Sequence, residues 1–380
     1  FMDLDLNQVN GVVRYYSEMI KYLIKNPQHE VLFITSGKKD YKKKISPNVT
    51  NFSVNCRGFN IPQYKEYPFF CFRKPHRKVL KEIKEFKPDL IHSVTPIIYR
   101  GLGKLGIQIG NELGIPVIGI YHSHIIKFTS VYIKDFLTSK KFQFFSPLYY
   151  FIGLINYIYY KNKNLNFYPE ELNNLNLSGF KKILYLGFYY GSQALVLKYK
   201  KCKYIMVPHD DVIDYLSRIT KRDKIKRFSH GVDKQRFNRK WRSKELRKKL
   251  GLEKKKALLY VGRVSLEKSI DEVIKYYLRE KIKRKVALVI VGDGPYKQVL
   301  QKKYPEIIFT GYLRGKKLSE IYASCDEFIF FSKTETFGLV YLEALASGLS
   351  VYPKINMKKF EPINWNTAFQ RLFRDSTKLL

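Results

Sequence analysis

Short apolar runs alternate with longer amphipathic stretches along most of this chain of 380 residues. Runs that are apolar at nearly every position indicate strands of parallel sheets covered on both faces. The predicted strands of the first half are Glu30–Thr35, Leu90–Ser93, Val117–Tyr121 and Tyr204–Val207. Those of the second half are Ala257–Val261, Val286–Val291, Ile307–Thr310 and Glu327–Phe331. Helical stretches between the runs predict βαβ units, and the length suffices for two α/β domains.

Two glutamates, Glu335 and Glu343, stand eight positions apart just after the last of these strands. The residues from Val340 onward read as a helix, so Glu335 and Gly338 are predicted in the turn at the carboxyl end of the strand. Free N–H groups and the helix dipole favour an anion there. In doubly wound folds this crevice binds nucleotides and sugar phosphates. An isolated pair of this kind would more often be two solvated acids.

Two further segments of the second half carry related chemistry. The strand that ends at Gly262 leads into Arg263 and, through a helix entered at Ser265, Lys268. These cations are expected at the carboxyl end of the strand, where they suit a departing diphosphate. The next strand ends in a Gly-Asp-Gly-Pro turn at Gly292.

Taken in this order, the three segments resemble the donor-sugar motif of retaining family-four glycosyltransferases with the GT-B fold. Four other segments are similar to the members that act on glycerolipids, and most to the sulfoquinovosyltransferase and diacylglycerol glycosyltransferases: Phe86–Ser93, Tyr121–His124, His230–Asp233 and Trp241–Arg247. The resemblance covers roughly residues 1–20, 85–128 and 203–353.

The resemblance implies two Rossmann-like doubly wound domains that face a cleft. An acceptor-side domain is expected over residues 1–235, with an aromatic insertion at about 129–202. A linker is expected over 236–256, where the chain is very basic. The nucleotide-sugar domain would cover 257–362, and a terminal crossover helix would cover 363–380.

The activity implied is transfer of a sugar, with retention of configuration, from a nucleotide-diphospho-sugar to a membrane lipid such as diacylglycerol. UDP is favoured over GDP, and UDP-sulfoquinovose is one candidate donor. A glucosyl- or mannosyltransferase acting on another lipid or a polysaccharide is the alternative within the enzyme class. No cofactor or metal is expected, because Arg263 and Lys268 can replace Mg²⁺.

The resemblance also assigns the donor site. Glu343 would hold the ribose hydroxyls, and Glu335 would hold hydroxyls of the donor sugar. The N–H groups of Phe337, Gly338 and Leu339 would face sugar and phosphate. Arg263 and Lys268, after Gly262, would neutralise the β-phosphate. The base would be bound through backbone near Gly311, Tyr312 and Leu313.

The acceptor side is expected from the first half of the chain. Gly11 follows Asn10 in a loop where a glycine lets the backbone approach the phosphate. His122 and His124 end a predicted strand at the cleft, and the family pattern favours His122 as the functional one. His230 and Asp233 belong to a cleft loop; alternatively they only form a turn, with Asp233 capping it.

The net charge of +37 allows three explanations. Attraction to an anionic membrane surface comes first, and a composition rich in Lys, Asn, Ile and Tyr comes second. Nucleic acid is not expected as a partner, since the basic residues are spread over the whole chain without a recognisable binding motif. A nucleic-acid-binding protein nevertheless remains an alternative, and salt-dependent DNA binding would support it.

The insertion contains two aromatic runs, Phe142–Tyr160 and Ile183–Leu197. Lysines flank the first run, and its proline and polar residues argue against a membrane span. Aromatic residues between lysines suit the headgroup level of a bilayer. Buried helices are the alternative for both runs. We therefore predict a membrane-associated protein at the cytoplasmic face, or at a plastid membrane in a plastid-bearing organism.

Both ends of the chain depart from the family pattern. The first apolar strand of the family is expected to be reduced to the few residues before Asn7, and no signal peptide is recognisable. After Pro353 only Lys354–Leu380 remain, so the second domain is expected to be shortened and a non-catalytic homologue is a further alternative. Four scattered cysteines predict free thiols: Cys56, Cys71, Cys202 and Cys325.

Overall fold

The structure is a computed structural model. It describes residues 1–8, 10–56, 58–61, 64–71, 75–96, 101–122, 179–208, 210–332, 338–354 and 362–378, with single helical positions between 127 and 158.

Helices and strands alternate through most of the described chain. The helices are α1 (Gly11–Lys25), α2 (His76–Phe86), α3 (Leu102–Leu113), α4 (Gly179–Val196), α5 (Asp210–Ser217), α6 (Lys244–Lys249), α7 (Ile270–Lys283), α8 (Lys297–Lys303), α9 (Gly315–Ser324), α10 (Leu339–Ala346) and α11 (Trp365–Lys378). The strands are β1 (Val31–Gly37), β2 (Tyr41–Ser46), β3 (Val49–Asn55), β4 (Gly58–Ile61), β5 (Tyr64–Cys71), β6 (Ile91–Val94), β7 (Val117–Ile120), β8 (Tyr204–Val207), β9 (Ile225–Arg227), β10 (Lys256–Val261), β11 (Val286–Val291), β12 (Ile308–Gly311), β13 (Glu327–Ile329) and β14 (Ser350–Tyr352).

The sheet of the first domain is assembled around the first residues of the chain. Strands β6, β7, β8 and β9 pair in parallel, while β1 pairs in parallel with β3, and β2 is antiparallel to β3. Met2 forms parallel bridges to Thr35 of β1 and to Val94 of β6. Phe1–Met2 thus occupy the central strand position, where a reduced first strand was predicted.

Helix α1 packs on this sheet because its sequence supplies both a cap and an apolar face. The side chain of Asn10 accepts a hydrogen bond from the Val13 amide at 2.9 Å, which satisfies a donor of the first turn. Val13, Tyr16 and Leu23 recur at helical spacing and are buried. The cap fixes where the helix begins, directly after the predicted phosphate loop.

The sheet of the second domain is parallel throughout, in the order β12-β11-β10-β13-β14. All six residues of β11 are buried, as expected for a central strand covered on both faces. The strand order reverses between β10 and β13. In doubly wound sheets the ligand crevice lies at such a reversal, outside the carboxyl ends of the strands.

The strand predictions are confirmed in position. Tyr204–Val207 and Val286–Val291 match to the residue, and the other predicted runs differ from the observed strands by at most two residues at either end. The sequence analysis missed β2, β3, β4, β5, β9 and β14. Strand β2 contains three consecutive exposed lysines, and β3 buries Asn51 by a hydrogen bond from Thr35 at 2.9 Å. Neither segment has the apolar run on which the predictions relied.

Much of the segment predicted as a linker is anchored to the second domain. Phe237 is fully buried in the core of that domain. Asp326, just before β13, accepts hydrogen bonds from Arg242 at 2.8 Å, Arg247 at 3.0 Å and the Ala257 amide at 2.8 Å. The predicted domain boundaries stay predictions, but this network fixes α6 against the sheet edge.

Helix α11 returns to the first domain. Its Trp365 and Phe369 contact the ring of Tyr15 with centroid distances of 5.8 and 5.2 Å. Before the helix, the Val232 amide donates to the carbonyl of Ile363 at 2.8 Å. The chain therefore passes between the domains at two adjacent places.

The aromatic run Phe142–Tyr160 lies almost wholly outside the described residues. Its described positions are helical, and Leu154, Ile155 and Ile158 are 37, 48 and 59% exposed. The second run forms most of α4, and its Leu184, Tyr185 and Val196 are buried, which favours the core-helix alternative for that run. Among the helices described here, none is long and apolar enough to cross a membrane.

Replacing Asp326 by alanine tests the anchoring network. Burial would raise the pKa of this carboxyl, but the Ala257 amide and the two guanidinium groups outweigh it and hold the pKa below its ordinary value. We expect Asp326→Ala to lower the free energy of unfolding by about 2–3 kcal/mol in urea denaturation, because two partly buried cations lose their partner. Asp375→Ala, at an exposed pair with Arg374, should change it by less than about 0.5 kcal/mol. Equal effects of the two substitutions would contradict this account.

Candidate donor-binding cleft

Three turns at the carboxyl edge of the second sheet are held together through backbone. The Gly262 amide donates to Val291 at 3.0 Å, and the Gly292 amide donates to Gly311 at 2.8 Å. A Cβ on Gly292 would lie 1.9 Å from the Gly262 carbonyl oxygen, and the φ of Gly292 is 139°. The Gly-Asp-Gly turn is therefore explained by close backbone packing between turns.

Arg263 and Lys268 lie on the turn that follows β10. The Tyr260 hydroxyl donates to the Arg263 carbonyl at 2.6 Å, which fixes the backbone there. Lys268 ends the short 3₁₀ helix Leu266–Lys268, and α7 begins two residues later. Both side chains are half-buried. The structure thus brings the two predicted cations to the carboxyl end of β10, in a 3₁₀ turn rather than inside the predicted helix.

Glu267, which the sequence analysis did not select, connects this turn with the one after β13. Its carboxylate is buried and accepts from the Ser265 hydroxyl at 2.6 Å. Its carbonyl accepts from the Ser332 hydroxyl at 3.3 Å. An acid between Leu266 and Lys268 gives no sign in sequence that it is buried, so only the fold could identify it.

The turn between β13 and α10 is described from Gly338 onward. Gly338 has a φ of 62° and caps α10, whose first residue is Leu339. The Tyr341 hydroxyl donates to the Phe330 carbonyl at 3.0 Å and ties the helix to the strand end. Glu335 and Phe337 lie outside the described residues, so their predicted roles stay predictions.

Glu343 is buried on α10 and forms an ion pair with Arg14 of α1. The two residues belong to different domains, so the pair spans the cleft. Tyr322 lies close by, and burial together with the charge of Glu343 raises the pKa of its hydroxyl. Arg14 was not predicted as a site residue, because one arginine in an amphipathic helix carries no special sequence signal.

The segment predicted to receive the base lies at the end of β12. Gly311 has a φ of 72°. The ring of Tyr312 is 54% exposed, with the Arg314 guanidinium 4.9 Å from its centroid. Leu313 packs against the core of the domain. One exposed ring thus lies beside the backbone predicted to receive the base.

On the first domain, His122 lies in a buried aromatic cluster beyond the end of β7. Its Nε2 is 3.2 Å from the Tyr16 hydroxyl, and its ring contacts those of Tyr15, Phe228 and His230. Burial lowers the pKa of His122 to about 3, so the imidazole is neutral at physiological pH. His124 lies outside the described residues.

Two loop residues of this side have simple local roles. Asp233 accepts from the amides of Gln235 and Arg236, both at 3.0 Å, as its alternative capping role requires. Gly11 is the first residue of α1, and a Cβ built on it meets nothing within 4 Å. Space is therefore open beside the Gly11 backbone.

Within the described ranges, no group of three or more His, Cys, Asp or Glu side chains could hold a metal ion. That the reaction needs no metal or cofactor stays a prediction, since the finding covers only these residues.

Comparison with known families matches two parts of the chain. The family described as Glycosyltransferase Family 4 matches residues 9–156, and the family described as Glycosyl transferases group 1 matches residues 242–351. The first match covers the loop of Gly11 and the strand before His122. The second covers the turns that carry Arg263, Lys268 and Glu343.

Curated relatives align with nearly the whole chain. Sulfoquinovosyl transferase SQD2 of Arabidopsis thaliana is 27% identical over 90% of this chain and 56% of its own length. Alpha-monoglucosyldiacylglycerol synthase of Streptococcus pneumoniae is 28% identical, over 92% of this chain and 69% of that protein. A GDP-mannose-dependent alpha-mannosyltransferase of Mycobacterium tuberculosis is 26% identical, over 91% of this chain and 75% of that protein. The chain thus spans little more than half the length of the plant relative.

Solved structures show the same fold. Sucrose-phosphate synthase of Thermosynechococcus elongatus superimposes with a TM-score of 0.56 at 16% identity, over 98% of this chain and 89% of that one. Anabaena HepE in complex with UDP-glucose superimposes with a TM-score of 0.53 at 15% identity, over 100% of this chain and 90% of that one. Two Rossmann-like domains facing a cleft define a GT-B protein. In both domains the chain is similar to glycosyltransferases, and the matches and relatives are those of family four.

Substituting Gly292 tests the packing of the three turns. Gly292→Ala should lower the free energy of unfolding by about 2–4 kcal/mol, because the methyl group would collide with the Gly262 carbonyl. Gly315 also has a positive φ, 57°, but a Cβ there meets nothing within 4 Å. Gly315→Ala should therefore cost only about 1 kcal/mol. Chemical denaturation measures both, and the account fails if Gly315→Ala costs as much.

The buried imidazole of His122 predicts a dependence of stability on pH. Its folded pKa of about 3 lies below the ordinary value of 6.5, so the unfolded chain takes up the proton first as pH falls. Stability from this group is present above pH 6.5 and is lost between pH 6.5 and 3. Denaturation of wild type and His122→Asn across this range should show a steeper loss in wild type, by up to about 1.4 kcal/mol per pH unit. Parallel curves would refute the assignment.

Proposed function

We propose that the protein is a retaining glycosyltransferase that moves a sugar from a UDP-sugar to a membrane glycerolipid such as diacylglycerol. One observation carries the proposal. The turn with Arg263 and Lys268 is hydrogen-bonded, through the Glu267 carbonyl and Ser332, to the segment that leads into α10 with Glu343. Cations for a diphosphate and a carboxylate for a ribose therefore belong to one connected edge of the second sheet.

The donor would lie along this edge. Glu343 would accept hydrogen bonds from the ribose hydroxyls, and Glu335 would accept them from the sugar. Amide groups of Phe337, Gly338 and Leu339 at the start of α10 would face sugar and phosphate, where the helix terminus favours negative charge. Backbone at Gly311–Leu313, with the exposed ring of Tyr312, would receive the base.

Bond cleavage places negative charge on the diphosphate. When the bond from the anomeric carbon to the β-phosphate oxygen breaks, its electron pair stays on that oxygen. Arg263 and Lys268 would neutralise this charge as it develops, the task for which prearranged cations are most effective. We infer that these two side chains suffice without a metal ion. Retention requires the acceptor oxygen to bond on the face from which the diphosphate leaves.

The first domain would supply the acceptor side. Open space beside Gly11 suits close approach of the donor phosphate to the backbone. His122 is neutral and its Nε2 lies beside the Tyr16 hydroxyl, so its ring would contact an acceptor or donor hydroxyl next to that pair. His230 contacts His122 at 5.7 Å between ring centroids and would support its orientation.

A glycerolipid acceptor implies contact with a membrane surface. One relative is named as a sulfoquinovosyl transferase and another as a synthase of monoglucosyldiacylglycerol. The net charge of +37 would attract the chain to anionic lipid. The exposed Leu154, Ile155 and Ile158 suit the apolar side of such a contact. We infer peripheral association, at the cytoplasmic face or at a plastid membrane.

A transferase that uses GDP-mannose is the second candidate. A relative that depends on this donor aligns with 91% of the chain at 26% identity, close to the values for the two lipid enzymes. If the base is recognised through backbone, few side chains would distinguish UDP from GDP.

The first experiment measures nucleotide release by the purified chain with anionic vesicles that contain diacylglycerol. The donors are UDP-sulfoquinovose, UDP-glucose, UDP-galactose and GDP-mannose. We expect turnover with one UDP-sugar and loss of at least about a hundredfold in Glu335→Ala. Turnover with GDP-mannose alone would establish the second candidate. No turnover with any donor, by a folded protein that binds the vesicles, would favour a non-catalytic homologue.

Gly11→Ala provides a matched variant at a described residue. Gly11 and Gly179 each begin a helix, and a Cβ on either meets nothing within 4 Å. Both alanine variants should fold as the wild type does. Only Gly11→Ala should lose activity, because its methyl group would enter the space assigned to the donor phosphate.

A further inference from the structure

Arg14 reaches from the first domain into the donor site of the second. It lies one helical turn beyond Gly11 on α1, and its guanidinium forms an ion pair with Oε1 of Glu343. The side chain of Glu343 is 3% exposed and that of Arg14 is 28% exposed. A carboxylate so deeply buried is strongly disfavoured without a partner, and Arg14 supplies a charged one.

The guanidinium of Arg14 also packs against the aromatic ring of Phe237. Its guanidinium carbon lies 5.4 Å from the ring centroid of Phe237, which is fully buried in the second domain. Arg236 faces the same ring at 5.2 Å. Stacking on an aromatic face suits the flat guanidinium and would suit lysine less well. Arg14 of the first domain thus contacts two residues of the second domain, Glu343 and Phe237.

We propose that Arg14 is a positioning residue that holds Glu343 in the orientation needed for the nucleotide ribose and couples donor binding to the approach of the two domains. This inference rests on the proposed function of Glu343. The ion pair engages Oε1, and a carboxylate offers about four acceptor positions over its two oxygens. Glu343 can therefore accept ribose hydroxyls while Arg14 remains bound.

The coupling follows from where the two residues are attached. Because Arg14 belongs to the first domain and Glu343 to the second, separation of the domains breaks the pair. A donor that binds better to the oriented carboxylate then favours the closed arrangement, and closure raises donor affinity by the same factor. Arg14 also links the predicted phosphate loop at Gly11 to the ribose carboxylate through a single turn of helix.

A double-mutant cycle tests whether Arg14 acts through Glu343. UDP affinity is measured by calorimetry for wild type, Arg14→Gln, Glu343→Gln and the double variant. We expect each single substitution to weaken UDP binding about tenfold. In the Glu343→Gln background, Arg14→Gln should weaken it by less than about twofold. Arg14→Lys should restore part of the loss, because it keeps the charge but not the planar stack.

Two results would overturn the proposal. Additive losses, about a hundredfold in the double variant, would mean that Arg14 acts independently of Glu343. Unchanged UDP affinity in Arg14→Gln would mean that it does not act on the donor site. Arg279→Gln is the control, since that arginine is exposed on α7 and should leave UDP affinity unchanged.

A second measurement separates failure of this proposal from failure of the proposed function. Small-angle X-ray scattering of the nucleotide-free proteins reports the distance between the domains without any ligand. We expect a larger radius of gyration for Arg14→Gln than for wild type and Arg279→Gln. If wild type binds neither UDP nor GDP, the function assigned to the site is wrong. If the radius of gyration is the same in all three proteins, the role of Arg14 across the cleft is wrong.

Discussion

The second domain depends on how closely the backbone turns at the carboxyl edge of its sheet approach one another. Gly292 leaves no room for a side chain against the Gly262 carbonyl, and hydrogen bonds continue the contact to Gly311. Since Arg263 directly follows Gly262, its position is set by this backbone contact and by the Tyr260 hydroxyl. The cations of the site are therefore placed by main-chain geometry.

Polar groups in and near the core also connect segments beyond the three turns. Glu267 and Ser332 link the segment after β10 to the one after β13. Asp326 anchors α6 at the opposite end of β13. These interactions give charged or polar groups hydrogen-bond partners, which offsets the cost of burying them. They fix the relative positions of β10 and β13, the two strands between which the sheet order reverses.

The sequence predicted the strands of both parallel sheets well because those strands are apolar at nearly every position. All six residues of Val286–Val291 are apolar and buried, so a buried strand was the clear prediction there. It predicted the polar strands β2 and β3 poorly, since Asn51 becomes suitable for burial only through its bond with Thr35. For the site, Arg263, Lys268 and Glu343 were predicted from motif spacing, and their roles stay predictions. Arg14 and Glu267 were not, because their importance arises from contacts between distant segments. Glu335 and Phe337 rest on the motif alone.

The two passages of the chain between the domains lie side by side, with Val232 hydrogen-bonded to Ile363 and Gly231 against the backbone of Trp365. Two adjacent interdomain segments of this kind can form a hinge. They permit rotation about the line that joins them and resist twisting or sliding. This arrangement would favour rotation about that line, and a small rotation at Gly231 would become a larger opening at the far rim of the cleft. Substitutions near Gly231 can therefore change the rate of opening while every residue at the rim stays the same.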